Sequence, residues 1–347
     1  RSTLFPYTTL FRSPAGYGNR DRIPALPREK HTMRQKHGQN FLIDNNIANN
    51  IVKAANLNEN DNVIEIGPGK GILTKIIQPL AGHLTAVEID ENLFRLLKYY
   101  FTSSNAQNIN LINKDFMKFD LASYVYKAGG GDFDAQNGKK KEEILKNNFE
   151  SRNNFTVFRA ENAEERLFTR PKEKVFDFSI PFKVISNLPY NAGTAIVQKI
   201  LPLPNWTQCV FMLQKEVAQR LAAKTGTKDY GYISVFTQYY ADAELLFDVS
   251  AKCFNPHPKV MSSVVRLSNK KSASPDPLFF ELVKKSFSMR RKTILNCLAS
   301  FKNLEKSQAN KILINCALDP FLRPDRLSLS DYLRLTDKIK NYIILQS

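Results

Sequence analysis

Residues 62 to 71 read Asn62-Val-Ile-Glu-Ile-Gly-Pro-Gly-Lys-Gly71, and this stretch decides the fold. Its first half is a short apolar run typical of a buried strand, and its second half is a glycine-rich turn. Helical spacing of apolar residues over 72–80 predicts that a helix follows. A glycine turn between a strand and a helix lets a cofactor approach the backbone, and the helix start presents free N–H groups. The stretch therefore predicts a nucleoside cofactor site that includes Gly67 and Gly69.

Strands and helices alternate through the first part of the chain. Apolar runs predict strands, and apolar residues at helical spacing predict the helices beside them. Further strands are predicted at 84–89, 108–112, 182–186, 209–213 and 263–267, and further helices at about 46–56 and 91–100. This alternation indicates an α/β fold with a parallel, doubly wound, Rossmann-like sheet.

The chain is strongly basic and has no metal-binding pattern. Its 347 residues carry a formal charge of +17, which indicates a polyanionic partner, either nucleic acid or an anionic membrane. No apolar run approaches the ~20 residues that a membrane span needs, so nucleic acid is the preferred partner. Four cysteines and four histidines are dispersed without metal-ligand spacing. We expect reduced thiols, a cytoplasmic protein and no metal site.

The beginning of the chain has an unusual composition. Residues 1–13 resemble a translated sequencing adapter, and the following residues are rich in Pro, Gly and Arg. We expect residues 1–32 to be a non-native or disordered leader. They carry six basic and two acidic residues, so the charge without them is still +13.

The remaining chain is predicted to form two domains. Residues 33–271 contain the predicted sheet, and their segment 121–183 lacks periodicity, as expected of a solvated, flexible insertion. A role of this insertion in binding RNA is the alternative. Residues 272–347 show only helical periodicity, and residues 269–347 hold fifteen basic and seven acidic side chains. This composition predicts a small all-helical domain that binds RNA.

One acidic residue lies at the end of the second predicted strand, and another lies just past the third. Ile72 stands three residues beyond Gly69, so the G-x-G-x-x-G fingerprint of dinucleotide sites is broken, which favours a different nucleoside cofactor. Glu88 lies where a carboxylate can accept hydrogen bonds from both hydroxyls of a ribose, and Asp115 is placed to accept from an adenine amine. Because open α/β sheets bind ligands at the carboxyl ends of their strands, we expect these groups to line one site.

The tetrapeptide Asn187-Leu188-Pro189-Tyr190 follows the fourth predicted strand. The Asn187 side-chain oxygen and the Leu188 carbonyl offer two acceptors for the protons of a nucleobase amine. Pro189 has a fixed φ and favours an extended Leu188, which would hold that carbonyl in one direction. Tyr190 offers a flat face for a flipped-out base. A plain turn explains the tetrapeptide when it is taken alone; beside a cofactor site it predicts methylation of a nucleobase amine.

These motifs together resemble the KsgA/RsmA family of small-subunit ribosomal RNA adenine N6,N6-dimethyltransferases, relatives of the Erm methyltransferases. The resemblance runs from about residue 33 to the C-terminus and is interrupted by the insertion. The matching segments are Lys36-His-Gly-Gln-Asn-Phe-Leu-Ile-Asp44, 63–74, 87–90, Lys114-Asp-Phe-Met117, Asn187-Leu-Pro-Tyr-Asn191, Phe211-Met-Leu-Gln-Lys-Glu-Val217, Tyr230-Gly-Tyr-Ile-Ser-Val235, 254–267 and Arg290-Arg-Lys-Thr-Ile-Leu-Asn-Cys-Leu298.

The resemblance implies a class I methyltransferase sheet and S-adenosylmethionine as the methyl donor. It assigns the donor contacts to Asn40, Leu42, Gly67, Glu88, Asp115 and Asn187. It implies that Asn187 and the Leu188 carbonyl hold the target amine while Tyr190 and Phe254 stack on opposite faces of the adenine; without the resemblance, Phe254 reads as a core residue. The implied substrate is a hairpin near the 3′ end of small-subunit ribosomal RNA, with two adjacent target adenines, within the pre-ribosomal small subunit. We expect a monomer.

The triplet Arg290, Arg291 and Lys292 is expected to open a helix of the basic tail and to contact RNA phosphates. A solvated surface is the alternative for these three residues. Two other functions remain open. One is an Erm-like methyltransferase acting on large-subunit ribosomal RNA, and the other is a non-catalytic RNA-binding assembly factor with the same fold.

Overall fold

The computed structural model describes residues 40–119, 180–270, 276–302 and 304–344. The predicted leader 1–32 lies outside the described residues. The predicted insertion 121–183 also lies outside them, except for residues 180–183. Phe182 and Lys183 already belong to a strand, so the insertion ends earlier than predicted.

The described part of the chain alternates strands and helices and then becomes helical. The strands are β1 (Phe41–Leu42), β2 (Asn62–Ile66), β3 (His83–Glu88), β4 (Ile109–Asn113), β5 (Phe182–Asn187), β6 (Trp206–Gln214), β7 (Ala241–Val249), β8 (Phe254–Asn255) and β9 (Ser262–Asn269). The α-helices are α1 (Asn45–Ala54), α2 (Thr74–Ile77), α3 (Glu91–Ser103), α4 (Gly193–Ile200), α5 (Lys215–Leu221), α6 (Tyr232–Tyr240), α7 (Pro277–Ser288), α8 (Ile294–Ala299), α9 (Lys306–Asn315) and α10 (Leu329–Ile344).

Seven strands form one sheet in the order β4-β3-β2-β5-β6-β9-β7. The first five are parallel, as predicted, whereas β9 runs antiparallel between β6 and β7. Only residues 250–261 connect β7 to β9, and they contain no α-helix that could cross over the sheet, so β9 returns antiparallel. The doubly wound α/β fold is confirmed, with a mixed rather than a purely parallel sheet.

Carboxylate side chains fix where three helices begin. Asp44 accepts hydrogen bonds from the backbone N–H groups of Asn46 and Ile47, which caps α1. Asp90 caps α3 in the same way, and Asp276 caps α7 ahead of Pro277. Each cap satisfies backbone donors that have no partner within the helix.

The hydrophobic core lies on both faces of the sheet. Successive residues of a strand point to opposite faces, and Val184 and Ile185 of β5 accordingly belong to two different buried clusters. One cluster includes α1, and the other continues into the C-terminal helices. Both faces of the parallel strands are therefore covered, which explains their nearly continuous apolar sequences.

Aromatic side chains join the sheet region to the C-terminal helices. The ring centroids of Tyr239 on α6 and Phe279 on α7 are 4.9 Å apart, and those of Phe236 and Phe280 are 5.3 Å apart. The described residues, from 40 to 344, all belong to one compact unit. The division of this unit into domains at residue 272 stays a prediction.

Two helices are shorter than predicted. The helix predicted over 72–80 is Thr74–Ile77, flanked by turns, and the helix that the basic triplet is predicted to open is Ile294–Ala299. Thr293 caps the second of these helices. Arg290, Arg291 and Lys292 consequently lie in the connection between α7 and α8, and the prediction that they open a helix is wrong. Among the helices that the structure describes, none has the length and apolar character needed to cross a membrane.

Candidate active site

Three glycines shape the turn after β2. Gly67, Gly69 and Gly71 have φ angles of +65°, +59° and +81°, values that residues other than glycine rarely adopt. A Cβ atom on Gly67 would meet no atom of the described residues within 4 Å, whereas one on Gly71 would lie 2.6 Å from Leu97 of α3. The space in front of Gly67 is therefore open to a ligand, and Gly71 is needed for packing.

Glu88 at the end of β3 is buried beside this turn. Its Oε2 accepts a hydrogen bond from the Gly69 N–H and its Oε1 accepts one from the Asp90 N–H, both at 2.9 Å. Burial raises the pKa of this carboxyl, while the two backbone N–H groups oppose that rise. A carboxylate oxygen can accept more than one hydrogen bond, so Glu88 can also bind ligand hydroxyls.

Asp115 follows β4 and is half-buried. Its Oδ1 accepts a hydrogen bond from the Met117 N–H at 2.9 Å and caps the 3-10 helix Phe116–Lys118. Within the described residues, no hydrogen bond occupies the other carboxylate oxygen. The adjacent Phe116 ring is buried and stacks on Phe119 with centroids 6.4 Å apart.

The predicted donor residues lie along one edge of the sheet. Gly67, Glu88, Asp115 and Asn187 stand at or just beyond the carboxyl ends of β2, β3, β4 and β5. These four strands are consecutive neighbours in the sheet, in the order β4-β3-β2-β5. Because parallel strands end on the same side, the sheet brings these residues to the edge where α/β folds bind ligands.

The acceptor tetrapeptide begins at the last residue of β5. Leu188 is buried, and its N–H donates to the Met212 carbonyl of β6 at 3.1 Å. The Pro189 carbonyl accepts from the Gly193 N–H at 2.8 Å, which turns the chain into α4. Among the described residues, no donor is hydrogen-bonded to the Leu188 carbonyl or to the Asn187 side chain. Neither predicted acceptor is therefore occupied by a donor in the described part of the chain.

A hydrogen bond fixes the ring of Tyr190. Its hydroxyl lies 2.6 Å from the Oγ of Ser262, a buried residue of the antiparallel strand β9. Burial raises the pKa of Tyr190, so the phenol is neutral at physiological pH. The half-buried ring keeps exposed surface. Sequence reasoning missed Ser262, since β9 is distant in the chain and carries no motif that points to Tyr190.

The segment before α1 is held across the glycine turn. In the small β1–β8 sheet, Leu42 pairs with Phe254. The neighbouring Phe41 packs on Gly69, where a Cβ atom would lie 3.1 Å from its ring, and Lys70 Nζ is 4.9 Å from the ring centroid. This contact places half-buried Asn40 and buried Leu42 beside the cofactor turn. Phe41 was not among the predicted residues.

Phe254 is 0% exposed and belongs to the same buried cluster as Leu42. It therefore presents no open face in this structure. Its predicted role as the second stacking surface for a base is not supported by its burial. The position instead agrees with the core role that its sequence alone favours.

Glu65 is a buried acid in the middle of β2. Burial raises its pKa to about 8, and the nearby Glu88 carboxylate acts in the same direction. Glu65 is consequently mostly protonated at neutral pH, unlike an ordinary glutamate. An acidic residue inside the apolar run Asn62–Ile66 was a visible signal that sequence reasoning did not use.

The basic triplet has two different environments. Arg290 donates a hydrogen bond to the Lys228 carbonyl at 2.8 Å and lies 3.6 Å from the Asp325 carboxylate. Arg291 and Lys292 are exposed. Arg290 thus ties together two loops of the protein, and the other two cations face solvent. Within the described residues, no group of three or more His, Cys, Asp or Glu side chains is arranged to hold a metal ion.

Comparison with known proteins identifies relatives along nearly the whole chain. Residues 30–334 match the profile of the family described as "Ribosomal RNA adenine dimethylase". "Ribosomal RNA small subunit methyltransferase A" from Alkaliphilus oremlandii is 36% identical over 329 residues, which cover 90% of this chain and 96% of that protein. The protein of the same name from Streptococcus thermophilus is 33% identical, over 91% of this chain and 94% of that protein.

Solved structures agree on the fold. A dimethyladenosine transferase from Plasmodium falciparum superposes with a TM-score of 0.64 at 21% identity, over 87% of this chain and 98% of that chain. The 23S rRNA methyltransferase ErmE superposes with a TM-score of 0.57, also at 21% identity, over 87% of this chain and its own full length. At this level of identity, the two structures establish the class I methyltransferase fold.

Proposed function

The chain belongs to the ribosomal RNA adenine dimethylase family, and we propose that it dimethylates the N6 amines of adenines in small-subunit ribosomal RNA. The single observation that carries this proposal is the pair of acceptors at Asn187 and Leu188, which no described donor occupies and which lie at the same sheet edge as the Gly67 turn. The curated relatives named above, at 33–36% identity, support the small subunit as the source of the RNA. A hairpin near its 3′ end with two adjacent adenines is the proposed target.

The residues at the sheet edge fit the methyl donor, S-adenosylmethionine. The open space at Gly67 admits a ligand against the backbone, and Glu88 has lone pairs left for ribose hydroxyls. Asp115 keeps one oxygen for the adenine amine of the donor, and Gly69, Asn40 and Leu42 flank the turn. When bound, S-adenosylmethionine supplies an activated methyl group. These residues would hold the donor in place.

Asn187 and Leu188 position the target nitrogen. The lone pair of an adenine N6 amine is delocalised into the ring, so the amine is a poor nucleophile. Two acceptors that bind its two protons fix the direction of the nitrogen and favour its attack. Pro189 holds the Leu188 carbonyl in place through the turn into α4. Tyr190, anchored by Ser262, provides the surface on which the adenine stacks. The proton that the amine loses passes to water.

The partner in this proposal is the small ribosomal subunit or its RNA. Exposed Arg291 and Lys292, together with the basic C-terminal helices, would contact phosphates. Phosphate contacts position an RNA but do not read its sequence, so the shape of the substrate would select it. Action as a monomer in the cytoplasm, where ribosomal subunits are assembled, is part of the same proposal.

The proposal is tested by mapping dimethyladenosine in ribosomal RNA from cells with and without this gene. We expect N6,N6-dimethyladenosine in small-subunit RNA only when the gene is present. Loss of the modification from large-subunit RNA instead would establish an Erm-like activity.

In vitro, the Asn187→Ala protein should bind small subunits but transfer methyl groups at least about 100-fold more slowly, as expected when a positioned hydrogen-bonding group is removed. Equal activity of this variant and the wild type would refute the assigned role.

A further inference from the structure

We propose that Phe321 is a stacking site for an unpaired base of the RNA, separate from the pocket that holds the target adenine. The inference rests on the proposed function, because it assumes that the polyanion bound by this protein is RNA. It concerns the loop between α9 and α10. It is carried by the exposure of Phe321, the rigidity of its backbone and the charges around it.

Phe321 is the most exposed phenylalanine described, at 76%. This exposure is not a general property of the loop, because Leu318, Pro324 and Leu327 of the same loop are buried. The fold thus buries these three side chains and leaves the Phe321 ring in water. A large ring in such a position is a candidate for contact with a partner.

The backbone around Phe321 is held firmly. Its N–H donates to the Asp319 carboxylate at 2.9 Å. The carbonyls of Pro320 and Leu322, on either side, accept from the N–H groups of Leu295 and Ile294 at 3.2 and 2.7 Å. The loop is thereby fixed along the first turn of α8. A ring on a fixed backbone loses little conformational freedom when a base stacks on it.

The surroundings of the ring favour an anionic partner. The loop runs beside Ile294, and exposed Arg291 and Lys292 directly precede that helix start. Exposed Arg323 lies two residues after Phe321. The carboxylate of nearby Asp319 accepts a hydrogen bond from the Phe321 N–H, and the carboxylate of Asp325 pairs with Arg290.

An aromatic ring among cations is the arrangement that binds single-stranded RNA, since bases stack on the ring while phosphates meet the charges. A second copy of this chain would bring like charges together, which disfavours self-association through this patch. The occupant we assign to Phe321 is therefore an unpaired base in a loop, bulge or end of the RNA.

Stacking and phosphate contact differ in their dependence on salt, and this difference defines the test. The full-length protein is titrated with small subunits from a strain that lacks this methyltransferase, at several salt concentrations. Phe321→Ala should weaken binding about tenfold and leave the slope of log Kd against log salt unchanged. Phe321→Trp should bind as tightly as the wild type. Ile314→Ala is the matched control, because Ile314 of α9 is also exposed, at 60%, and it should have no effect.

Several outcomes would overturn the inference. If the wild type methylates the subunits but Phe321→Ala binds them as tightly, Phe321 is no stacking site while the proposed function stands. If the wild type neither binds nor methylates them, the proposed function itself fails. Sedimentation that shows a wild-type dimer and a Phe321→Ala monomer would assign the ring to a protein contact. An unchanged melting temperature of Phe321→Ala is expected; if it falls, Phe321→Tyr replaces it, and loss of binding by a folded Tyr variant would also contradict stacking.

Discussion

The Oε2 atom of Glu88 accepts a hydrogen bond from the backbone N–H of Gly69 at 2.9 Å. The contact joins the end of β3 to the glycine turn after β2, so this carboxylate fixes the turn. The turn is thus held in this conformation by the protein itself. Changes at Glu88 should act on donor binding more than on RNA binding.

Replacing Glu88 with Gln should weaken S-adenosylmethionine binding about 10- to 100-fold, because hydrogen bonds to a charged acceptor are lost. Isothermal titration calorimetry measures this affinity directly, and RNA affinity should be unchanged. Asp90→Asn is the matched control, since Asn also caps a helix and the Asp90 N–H that binds Glu88 is retained. Donor affinity that falls equally in both variants would contradict a direct role for Glu88.

Alanine at Gly67 and at Gly71 should have different consequences, although both residues have positive φ. Each substitution forces a left-handed backbone on alanine, which costs about 1 kcal/mol of stability. Gly71→Ala also drives a methyl group into Leu97 and should lower stability further. Gly67→Ala meets no atom within 4 Å in the described part of the chain, so its main effect should be on the donor. Urea unfolding and donor titration of both variants separate the two, and a larger stability loss for Gly67→Ala would contradict this account.

Local patterns predicted the parallel half of the sheet because its strands are buried on both faces and read as apolar runs. The strand β7 escaped prediction, since Leu245 is 44% exposed and its sequence, Ala-Asp-Ala-Glu-Leu-Leu-Phe-Asp-Val, does not alternate regularly. Its position at the sheet edge requires no continuous apolar pattern. The antiparallel direction of β9 depends on the short connection before it, which only the folded arrangement reveals.

The candidate site likewise contains residues that the sequence predicts and contacts that it does not. Gly67, Glu88, Asp115 and Asn187 could be placed from sequence, because each follows a predictable strand. The Tyr190–Ser262 bond could not, since it joins residues 72 positions apart. The burial of Phe254 depends on its pairing with Leu42, a contact between the two ends of the methyltransferase region. Long-range pairings of this kind leave no local periodicity.

The basic triplet should separate into one structural and two RNA-binding residues. Arg291→Ala with Lys292→Ala should reduce the slope of log Kd against log salt by about 2, or about 1 for each lost phosphate contact, without a change in melting temperature. Arg290→Ala should lower the melting temperature, because it removes the contacts to Lys228 and Asp325. Salt titration and thermal unfolding of the two variants provide the measurement. If Arg290→Ala kept the wild-type melting temperature and reduced the salt slope as the double variant does, all three residues would contact RNA and none would have a structural role.

Glu65 should make stability fall as the pH rises. Its pKa is about 8 in the folded protein, against about 4.3 for an ordinary glutamate in an unfolded chain. Between these values the folded state holds a proton that the unfolded state has released, so the free energy of unfolding decreases with pH in this window.

Glu65→Gln removes the titrating group and keeps a similar shape. The stability of Glu65→Gln relative to the wild type should therefore rise from pH 5 to pH 8, measured by urea unfolding. Glu91→Gln, at an exposed position of α3, serves as the control. Parallel stability curves for wild type and Glu65→Gln would show that Glu65 is ionised in the folded protein at neutral pH.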